Sequence, residues 1–576
     1  GLAAMVAIAL GACSPTDYKT EAAQVPQIVV STLSDPKTFN YPLNQESPNV
    51  FTYIYEGLIT ENGFGEIESG LAASWEISDD KRRIVFTLRD GLKWSDGEPL
   101  TADDITFTYN DLYLNEKIPT DTRDILRIGE TGAFPTVRKL DDRRIEFTVP
   151  EPFAPFLRIT GLPILPRHAL IDSVKTTGSD GNPKFLSTWG VDTEPSKIIA
   201  NGPYVLAGYI PSQRVIFRRN PYYWRKDAQG NALPYIERLI WQIVESTDTS
   251  LLQFRSGGLD TLGVSPENFS LLKGEEKRGK FTIYNGGPAA GTNFISFNLN
   301  KAKRADGRPI VDPIKSKWFN TLAFRQAVAY ALDRQTMINN TFRGIGRPQN
   351  SPISLQSPYY LSPEEGLKVY NYDPEKAKQL LLGAGFKYNA QGQLQDGDGN
   401  LVRFTLITNS GNKIREAMGA QVKQDLKQIG IQVDFNPINF NTLVEKLSTT
   451  RDWDCYLLGL TGGVEPNDGA NVWLSQGGLH SFNQGPLPGQ PPIQGWEASE
   501  WEKEIDRLYI QGAQELDETK RKAIYAKTQQ ITQEQVPVIY LVNPLSLSAV
   551  RDRIQGVKFT ALGGSLWNIY ELKLTE

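Results

Sequence analysis

The sequence predicts an α/β protein built from several compact units. Its 576 residues exceed what one hydrophobic core usually holds, so we expect two or three domains. Strands and helices are mixed along the chain without regular alternation. One stretch, "VRFTLIT" through "IREAMGAQVKQDLKQIG" to "IQVDF", predicts strand, helix and strand in succession. Such a βαβ unit implies two parallel strands, which is typical of the α/β class.

The first half of the chain is predicted to be mostly strands. Apolar and β-branched residues bounded by turn residues indicate these strands: "QIVVSTL" (27–33), 84–88, "DRRIEFTVP", the hairpin "GPYVLAGYI" with "RVIFRRN", and "PYIERLIWQIV". Apolar residues at helical spacing predict a helix over 49–60. In "TADDITFTYNDLY", Thr101 precedes two acids, which favours a helix start.

The second half is predicted to be more helical. Strong helix formers with one apolar face predict a helix over 321–338. "YDPEKAKQLLLGAGF" begins with Asp373 as a cap and ends at Gly383 and Gly385. Two further helices, "EWEKEIDRLYIQGAQE" and "DETKRKAIYAKTQQITQE", precede a last strand in "VPVIYLVN".

Charge and composition exclude one class of partner. Hydrophobic residues make up 40% of the chain and charged residues 22%, as in ordinary globular proteins. The net charge is -5 and the isoelectric point is about 5.6. Nucleic acid is therefore not an expected partner, since binding it needs a basic stripe.

Cys13 ends the apolar run "LAAMVAIALGAC", which is too short to span a membrane but has the length of the apolar part of a signal peptide. The residues 10–13, Leu-Gly-Ala-Cys, resemble the lipobox of bacterial lipoproteins. That resemblance implies a signal-peptide remnant at 1–12, cleavage before Cys13, acylation of its sulfur and a tether over 13–25. The charged region that should precede the run is missing, so we expect that the signal peptide begins before this sequence does. Cys455 lies in "WDCYLLGL" and is expected to be a buried, inert thiol.

Enzyme and metal motifs are weak. Only His168 and His480 are present, far apart in the chain, so a histidine triad, a zinc site or a nickel site lacks ligands. "GEEKRGKF" matches the spacing of a phosphate loop, but Phe281 replaces the Ser or Thr that binds magnesium. "DGDGN" lacks the glycine and the final acid of a calcium loop. We therefore expect no catalytic residue, no metal and no cofactor.

The segment from Gly70 to Tyr109, "GLAASWEISDDKRRIVFTLRDGLKWSDGEPLTADDITFTY", carries the most specific signal. It resembles the signature region of the family 5 extracellular solute-binding proteins, the oligopeptide, dipeptide and nickel binding class of ABC importers. "NGPYVLAGYIPSQRVIFRRNPYYW", "FRQAVAYALDR" and "YDPEKAKQLL" are similar to later segments of that family. The signature residues themselves are expected to serve the fold, because Trp75 and Trp94 offer large apolar surfaces.

The resemblance implies a fold of the periplasmic binding protein-like II type. In this fold, crossing strands form a hinge between two lobes, one lobe carries an extra domain, and ligand is enclosed between the lobes. By resemblance, lobe I takes residues 26–52, 196–292 and 540–576. The extra domain takes 53–195, and lobe II takes 293–539.

The resemblance also places a ligand loop at "LLGLTGGVEPND". In peptide binders of the family an aspartate after a strand holds the peptide ammonium, and dipeptide binders add an arginine for the carboxylate. Here Gly463 takes the aspartate position, Leu460 takes the position of a preceding tryptophan, and Asn409 lies near the arginine position. A buried charge without a partner is costly, so a zwitterionic dipeptide is disfavoured. Glu465 or Asp468 is the alternative contact for the ammonium.

Candidate ligand contacts follow from this loop and from the strand "NFISFN". Gly462 and Gly463 are expected to allow close backbone approach, Trp473 to form an aromatic wall, and the strand to bind a peptide as an added strand. The polar candidates in the loop include Asn467. The full set of expected ligand-binding residues is Gly462, Gly463, Glu465, Asn467, Asp468, Trp473, Asn293, Phe294 and Asn409.

The expected function is capture of a peptide or similar-sized polar solute and its delivery to the transmembrane subunits of an ABC permease. We expect a monomer in the periplasm or at the cell surface, attached to a membrane only through acylated Cys13. An oligosaccharide binder of the same fold is the alternative, and 11 Trp and 23 Tyr offer stacking surfaces for it. An envelope hydrolase and a lipoprotein without ligand are the alternatives from other classes.

Overall fold

The computed structural model describes residues 25–44, 48–120, 122–129, 131–486 and 490–575. Cys13, the apolar run before it and the expected tether up to residue 24 lie outside these ranges. Within them, no helix has the length and apolar character needed to cross a membrane.

The first sheet brings together both ends of the first half of the chain. Strand Gln27–Thr32 pairs in parallel with Arg238–Ile243. That strand pairs antiparallel with Arg214–Arg219, which forms a hairpin with Tyr204–Ile210. The predicted opening strand, hairpin and following strand are therefore confirmed.

A second four-stranded sheet lies within residues 72–148. Its antiparallel order is Ala72–Ile77, Arg83–Leu88, Arg144–Thr148 and Thr136–Lys139. Helix Ala102–Thr106 begins where the sequence predicts, and Thr101 caps it. One continuous hydrophobic core joins this sheet to the first one.

A five-stranded sheet forms the centre of the second half. The predicted βαβ unit is confirmed, since Arg403–Asn409 and Gln432–Ile438 pair in parallel around helix Lys413–Lys427. The sheet continues through Cys455–Leu460 and Thr292–Phe297 to Val538–Tyr540. A separate hydrophobic core, drawn from residues 294–542, surrounds this sheet.

The chain crosses twice between the two large cores. Strand Phe281–Pro288 leads directly into Thr292–Phe297. On the return, Val538–Tyr540 leads into the long strand Val542–Arg551. The start of that long strand pairs with Gly346–Pro348, whereas its later part pairs with Thr261–Gly263 and Phe281–Pro288.

The other elements are helices and short strand pairs. The remaining helices are Phe51–Ile54, Thr122–Ile125, Phe156–Ile159, Arg167–Lys175, Thr247–Arg255, Pro266–Gly279, Pro313–Phe319, Leu322–Ala331, Arg334–Asn340, Pro374–Gly383, Phe440–Glu445, Ala470–Trp473, Glu500–Gln514 and Glu518–Gln535. The short strand pairs are Ile59–Glu61 with Ile67–Ser69, Lys387–Tyr388 with Leu394–Gln395, and Ile554–Gln555 with Lys573–Leu574.

The helix predicted over 49–60 is wrong beyond its first turn. Only Phe51–Ile54 is helical, and Tyr55 is already extended. A Cβ on Gly57 would lie 2.5 Å from the backbone of Gly161, and the Leu58 N–H donates to the Thr160 carbonyl at 3.1 Å. Packing against the segment around Gly161 therefore overrides the local helical pattern.

The helix predicted over 321–338 is two helices. Leu322–Ala331 ends before Leu332, which is extended. The Asp333 side chain accepts a hydrogen bond from the Thr336 N–H at 3.1 Å and caps Arg334–Asn340. The acid within the apolar run thus begins a new helix.

Candidate ligand-binding cavity

A cavity of about 1300 Å³ lies between the two large cores. It exceeds the roughly 300–1,000 Å³ of sites for drug-sized ligands, so it has room for an oligomeric solute. Its walls come from residues 41–68 and 125–163 on one side and from 465–474 and 509–513 on the other. The lining is completed by residues 563–570 and by Val30, Ser31, Pro203, Arg225 and Thr261.

The two sides touch at the rim of the cavity. The Ala154 N–H donates to the Ala513 carbonyl at 2.6 Å, and Gln514 Nε2 donates to Glu151 Oε2 at 2.8 Å. A Cβ on Gly65 would lie 2.8 Å from the Val464 side chain. The cavity is therefore closed along this edge by contacts between residues distant in sequence.

Glu465 begins the cavity wall formed by the predicted ligand loop. Its carboxylate accepts two hydrogen bonds from Arg521, at 2.6 and 2.9 Å, and both side chains are buried. Glu465 Oε1 also accepts from the Asn467 N–H at 3.1 Å, which caps the turn Pro466–Gly469. The charge of Glu465 is thus already balanced by the protein itself.

Arg521 is held from several directions. Its Nε donates to the Gly512 carbonyl at 2.8 Å, and its Nη1 donates to the Tyr359 hydroxyl at 2.8 Å. The guanidinium also lies 5.0 and 5.2 Å from the ring centroids of Tyr359 and Tyr525. The Glu465–Arg521 pair therefore anchors the loop to helix Glu518–Gln535.

Asp468 is in a different position, because its side chain faces the cavity. Among the described residues, no hydrogen-bond donor reaches its carboxylate. Burial between the cavity walls, reinforced by Glu465 and Glu61, raises the pKa of Asp468 from 3.8 to about 6, against the opposing effect of Arg158 and Arg521. A cation placed in the cavity would relieve this repulsion.

Acidic side chains outnumber basic ones in the described lining. The carboxylates are Glu56, Glu61, Glu68, Glu465 and Asp468, and the cationic side chains are Arg127, Arg158 and Arg225. Arg158 forms an ion pair with Glu61. Since Glu465 is already paired with Arg521, the other lining side chains leave a small excess of negative charge, and Asp468 is an exposed part of it.

A second polar cluster lines the opposite wall. Glu56 accepts hydrogen bonds from the Tyr223 hydroxyl at 2.5 Å and from Trp224 Nε1 at 2.8 Å. Arg225 Nε donates to the Tyr223 hydroxyl at 2.8 Å. The Arg225 guanidinium also lies over the rings of Trp224 and Tyr570, at 4.6 and 4.3 Å. Tyr223 and Trp224 end one of the segments that resemble the family, but the sequence gives no sign that Glu56 and Arg225 meet them at the cavity.

Three of the nine expected ligand residues, Glu465, Asn467 and Asp468, line the cavity. Trp473 packs into the core beside Phe482, with ring centroids 6.1 Å apart, and is not an aromatic wall of the cavity. A Cβ on Gly462 would lie 2.0 Å from the Ala290 carbonyl oxygen, so its close contact is with the chain itself. Gly463 does not line the cavity, and a Cβ on Gly463 would lie 3.7 Å from Asp468 Oδ2.

The expected contacts on the central sheet are engaged within the protein. Asn293 Nδ2 donates to the Val542 carbonyl at 3.1 Å, Phe294 is buried, and Asn409 Oδ1 accepts from Arg415 Nη1 at 2.9 Å. Strand Thr292–Phe297 has hydrogen-bonded neighbours on both sides. Both edges of its paired stretch are therefore occupied, which leaves no free edge there for a peptide to add as a strand.

Metal and thiol chemistry depend on two features of the described part of the chain, its possible metal ligands and its cysteine Cys455. This part contains no group of three or more His, Cys, Asp and Glu residues that could hold a metal ion. Cys455 is buried and unpaired, as predicted for an inert thiol. Burial raises the pKa of this thiol well above its usual value, which disfavours the reactive thiolate.

Comparison with known proteins gives consistent matches over most of the chain. The family profile described as "Bacterial extracellular solute-binding proteins, family 5 Middle" matches residues 66–480, more than half of the sequence. A probable ABC transporter-binding protein of Deinococcus radiodurans is 30% identical over 552 residues, which cover 91% of this chain and 88% of the relative.

Solved structures share the fold at low sequence identity. The oligopeptide-binding protein of Bacillus subtilis, in complex with a nonapeptide, is 23% identical with a TM-score of 0.71, covering 96% of this chain and 99% of that one. A periplasmic binding protein from Agrobacterium fabrum, in complex with stachyose, is 21% identical with a TM-score of 0.72, covering 96% and 85%. These similarities confirm the predicted two-lobe α/β fold.

Proposed function

Because the chain belongs to family 5 of the bacterial extracellular solute-binding proteins, we propose that it captures peptides for an ABC importer. It encloses the peptide in the cavity between its lobes and delivers it to the transmembrane subunits of the permease. Peptide-binding proteins are prominent among its relatives, and the nonapeptide complex has the same fold.

Asp468 is the observation that carries this proposal. Its carboxylate faces the cavity without a described hydrogen-bond donor, whereas neighbouring Glu465 is neutralised by Arg521. A ligand ammonium at Asp468 would form a charge-assisted hydrogen bond and offset the repulsion from Glu61 and Glu465. Of the two acids that the sequence offers for the ammonium, we therefore assign the role to Asp468.

An oligosaccharide is the second candidate solute. Four partly exposed aromatic side chains line the cavity and could stack on sugars: Tyr41, Tyr53, Trp567 and Tyr570. The stachyose complex shares the fold, and a periplasmic alpha-galactoside-binding protein of Rhizobium meliloti is a relative at 27% identity. A neutral sugar would leave Asp468 without a cation, so the charge of the cavity favours the peptide.

A hydrolase is not supported by the arrangement of the acids and histidines. Glu465 is held in a buried ion pair and cannot act with Asp468 as a free acid pair. His168 and His480 bond to Asp96 and Glu502, at 2.6 Å each, and lie outside the cavity lining. We propose a binding protein without catalytic activity.

Thermal unfolding with defined solutes tests the proposal. We expect a pool of short peptides with free amino termini to raise the melting temperature, because a ligand that binds only the folded state stabilises it. The same pool with acetylated amino termini should stabilise less, and raffinose-type oligosaccharides should have no effect. Stabilisation by the oligosaccharides alone would favour the sugar-binding alternative.

We also propose that the protein is a monomer anchored at the periplasmic or outer cell surface through acylated Cys13. The support is the lipobox-like sequence and the family to which the chain belongs. Mass spectrometry of the amino-terminal fragment from the native host, compared with a C13A variant, tests the anchor. An unmodified amino terminus, or membrane attachment that persists in C13A, would contradict it.

A further inference from the structure

The guanidinium of Arg225 is fixed in the wall of the cavity by its neighbours. The rings of Trp224 and Tyr570 lie 4.6 and 4.3 Å from it, and its Nε donates to the Tyr223 hydroxyl. The Tyr223 hydroxyl is in turn bonded to Glu56. These contacts hold the planar group in one orientation, as pre-organised binding requires.

The terminal nitrogens of Arg225 are available for a further partner. Its closest approach to Glu56 is 3.9 Å through Nε, which is too long for a hydrogen bond. Within the described ranges, neither Nη1 nor Nη2 donates a hydrogen bond. The side chain is 17% exposed and contributes to the cavity lining.

A second guanidinium group, that of Arg89, lies near Arg225. Arg89 also lies over Trp224, 3.7 Å from its ring centroid, and within the described ranges its hydrogen bonds go to the neutral groups Gly70 and Ser69. Among the described residues, Glu56 is the carboxylate that bonds to this cluster, while the charges of Glu68 and Glu571 also act on Tyr570. Arg89 and Arg225 thus repel each other beside Glu56, and a carboxylate bound at the Nη groups of Arg225 would offset this repulsion.

The Arg225 cluster and Asp468 belong to different parts of the cavity. Arg225 lies between two strands of the first sheet, Arg214–Arg219 and Arg238–Ile243, whereas Asp468 lies on the loop after Cys455–Leu460. The charges that act on Asp468 are Glu465, Glu61, Arg158 and Arg521, whereas the carboxylate that acts on Arg225 is Glu56. The cavity therefore presents a negative site and a separate positive site.

We propose that Nη1 and Nη2 of Arg225 bind a carboxylate of the solute, while Asp468 binds its ammonium. The inference rests on the proposed function and narrows the solute to zwitterionic peptides long enough to reach both sites. Arg225 supplies two parallel N–H donors, the geometry that matches a carboxylate. The carboxylate is either the peptide's carboxyl terminus or an acidic side chain.

Three peptide pools of matched length test the proposal by titration calorimetry on the wild type, R225Q, R225K and D468N. The first pool lacks Asp and Glu and has a free carboxyl terminus. The second is the same pool amidated, and the third is amidated but contains Asp or Glu. Comparing pools within one variant removes any general effect of the substitution on folding.

The wild type is expected to bind the free-acid pool about tenfold more tightly than the amidated pool without acids, since a charge-assisted pair is lost. R225Q should bind these two pools with equal affinity, whereas R225K and D468N should still bind the free-acid pool more tightly than the amidated one. If the amidated acidic pool binds as tightly as the free-acid pool, Arg225 accepts an acidic side chain, which supports the proposal.

The role of Arg225 would be overturned if the wild type bound all three pools with equal affinity. Peptide capture itself would then still stand. A preference that survives in R225Q would overturn that role in the same way. Failure of the wild type to bind any pool would overturn the proposed function, and this inference with it.

Discussion

Glu465 and Asp468 lie three positions apart in one loop, but the fold gives them different surroundings. Arg521 neutralises Glu465 in a buried pair, whereas the charges nearest to Asp468 include two carboxylates. The sequence predicts that this loop carries the polar contacts but leaves the two acids as alternatives. The choice depends on Arg521, which lies 56 positions away from Glu465 and carries no motif.

Replacement of Asp468 is predicted to separate binding from stability. D468N removes the anchor for the ligand ammonium, so affinity for peptides with free amino termini should fall about tenfold or more. The stability of the empty protein at pH 7.5 should not fall, because the variant removes repulsion from Glu465 and Glu61. Calorimetry and thermal unfolding measure the two effects. Unchanged affinity would contradict the assignment.

The raised pKa of Asp468 predicts a pH dependence of binding. The carboxyl titrates near pH 6 in the ligand-free protein, so affinity for peptides with free amino termini should weaken as the pH falls below about 6. Peptides with acetylated amino termini serve as the control and should show little change. Calorimetry between pH 5 and 8, in wild type and D468N, measures this effect.

Protonation of Asp468 weakens peptide binding but is expected to stabilise the empty protein. Because the folded-state pKa lies above the usual 3.8, folding favours the protonated carboxyl. This contribution to the stability of the empty protein is fully present below pH 3.8 and is lost as the pH rises through about 6. The difference in unfolding free energy between wild type and D468N should follow this profile. A difference that is constant with pH would contradict it.

Replacement of Glu465 is predicted to act mainly on stability. E465Q leaves Arg521 buried without its carboxylate, and breaking such a pair from one side costs about 3–5 kcal/mol. Chemical denaturation measures the loss, with D468N as the matched control three positions away. A loss below about 1 kcal/mol in E465Q would show that the pair does not anchor the loop.

At the scale of elements, the sequence predicts those whose own residues determine their ends. Asp373 caps Pro374–Gly383, and Thr101 caps Ala102–Thr106, as the sequence indicates. The predicted helix over 49–60 fails because distant residues around Gly161 determine the local conformation. Similarly, the sequence cannot show that strand Thr292–Phe297 is interior, since its neighbours come from distant segments.

The end of helix Glu500–Gln514 is predicted to hold the cavity closed. Gln514 donates to Glu151 across the rim, next to the backbone bond from Ala154 to Ala513. Q514A should weaken peptide binding about twofold to tenfold, since one hydrogen bond contributes about 0.5–1.5 kcal/mol. Thermal stability without ligand should change little. Affinity is measured by calorimetry.

The matched control for this substitution is Q511A, on an exposed position of the same helix. It should leave affinity unchanged, because Gln511 takes no part in the rim contacts. Equal effects of Q511A and Q514A would point to a general change in the helix and contradict a specific role of the rim.

At the scale of the molecule, the two large hydrophobic cores explain how a cavity forms between them. One core draws on residues 28–241 and 550–572 together with Ala513, and the other on residues 294–542. The chain joins them through two short crossings, at 288–292 and 540–542. This arrangement supports the proposed lobes, with the boundary between lobe I and lobe II near residues 293 and 540.

The extra domain proposed over 53–195 shares its core with lobe I and does not have a separate one. We therefore propose that these two units move together, and that hinge motion separates them from lobe II. The sequence predicts the family and the fold through its long signature segment. It does not predict which side chains meet across the cavity, because those contacts depend on how the lobes are placed.

Capture of a peptide is tested most directly by native mass spectrometry of the full-length protein gently purified from its own host. We predict one bound peptide per molecule, identified by sequencing after release, and loss of that peptide in D468N. A bound oligosaccharide would contradict the account. So would protein that is empty as isolated and stays empty when a pool of short peptides is added.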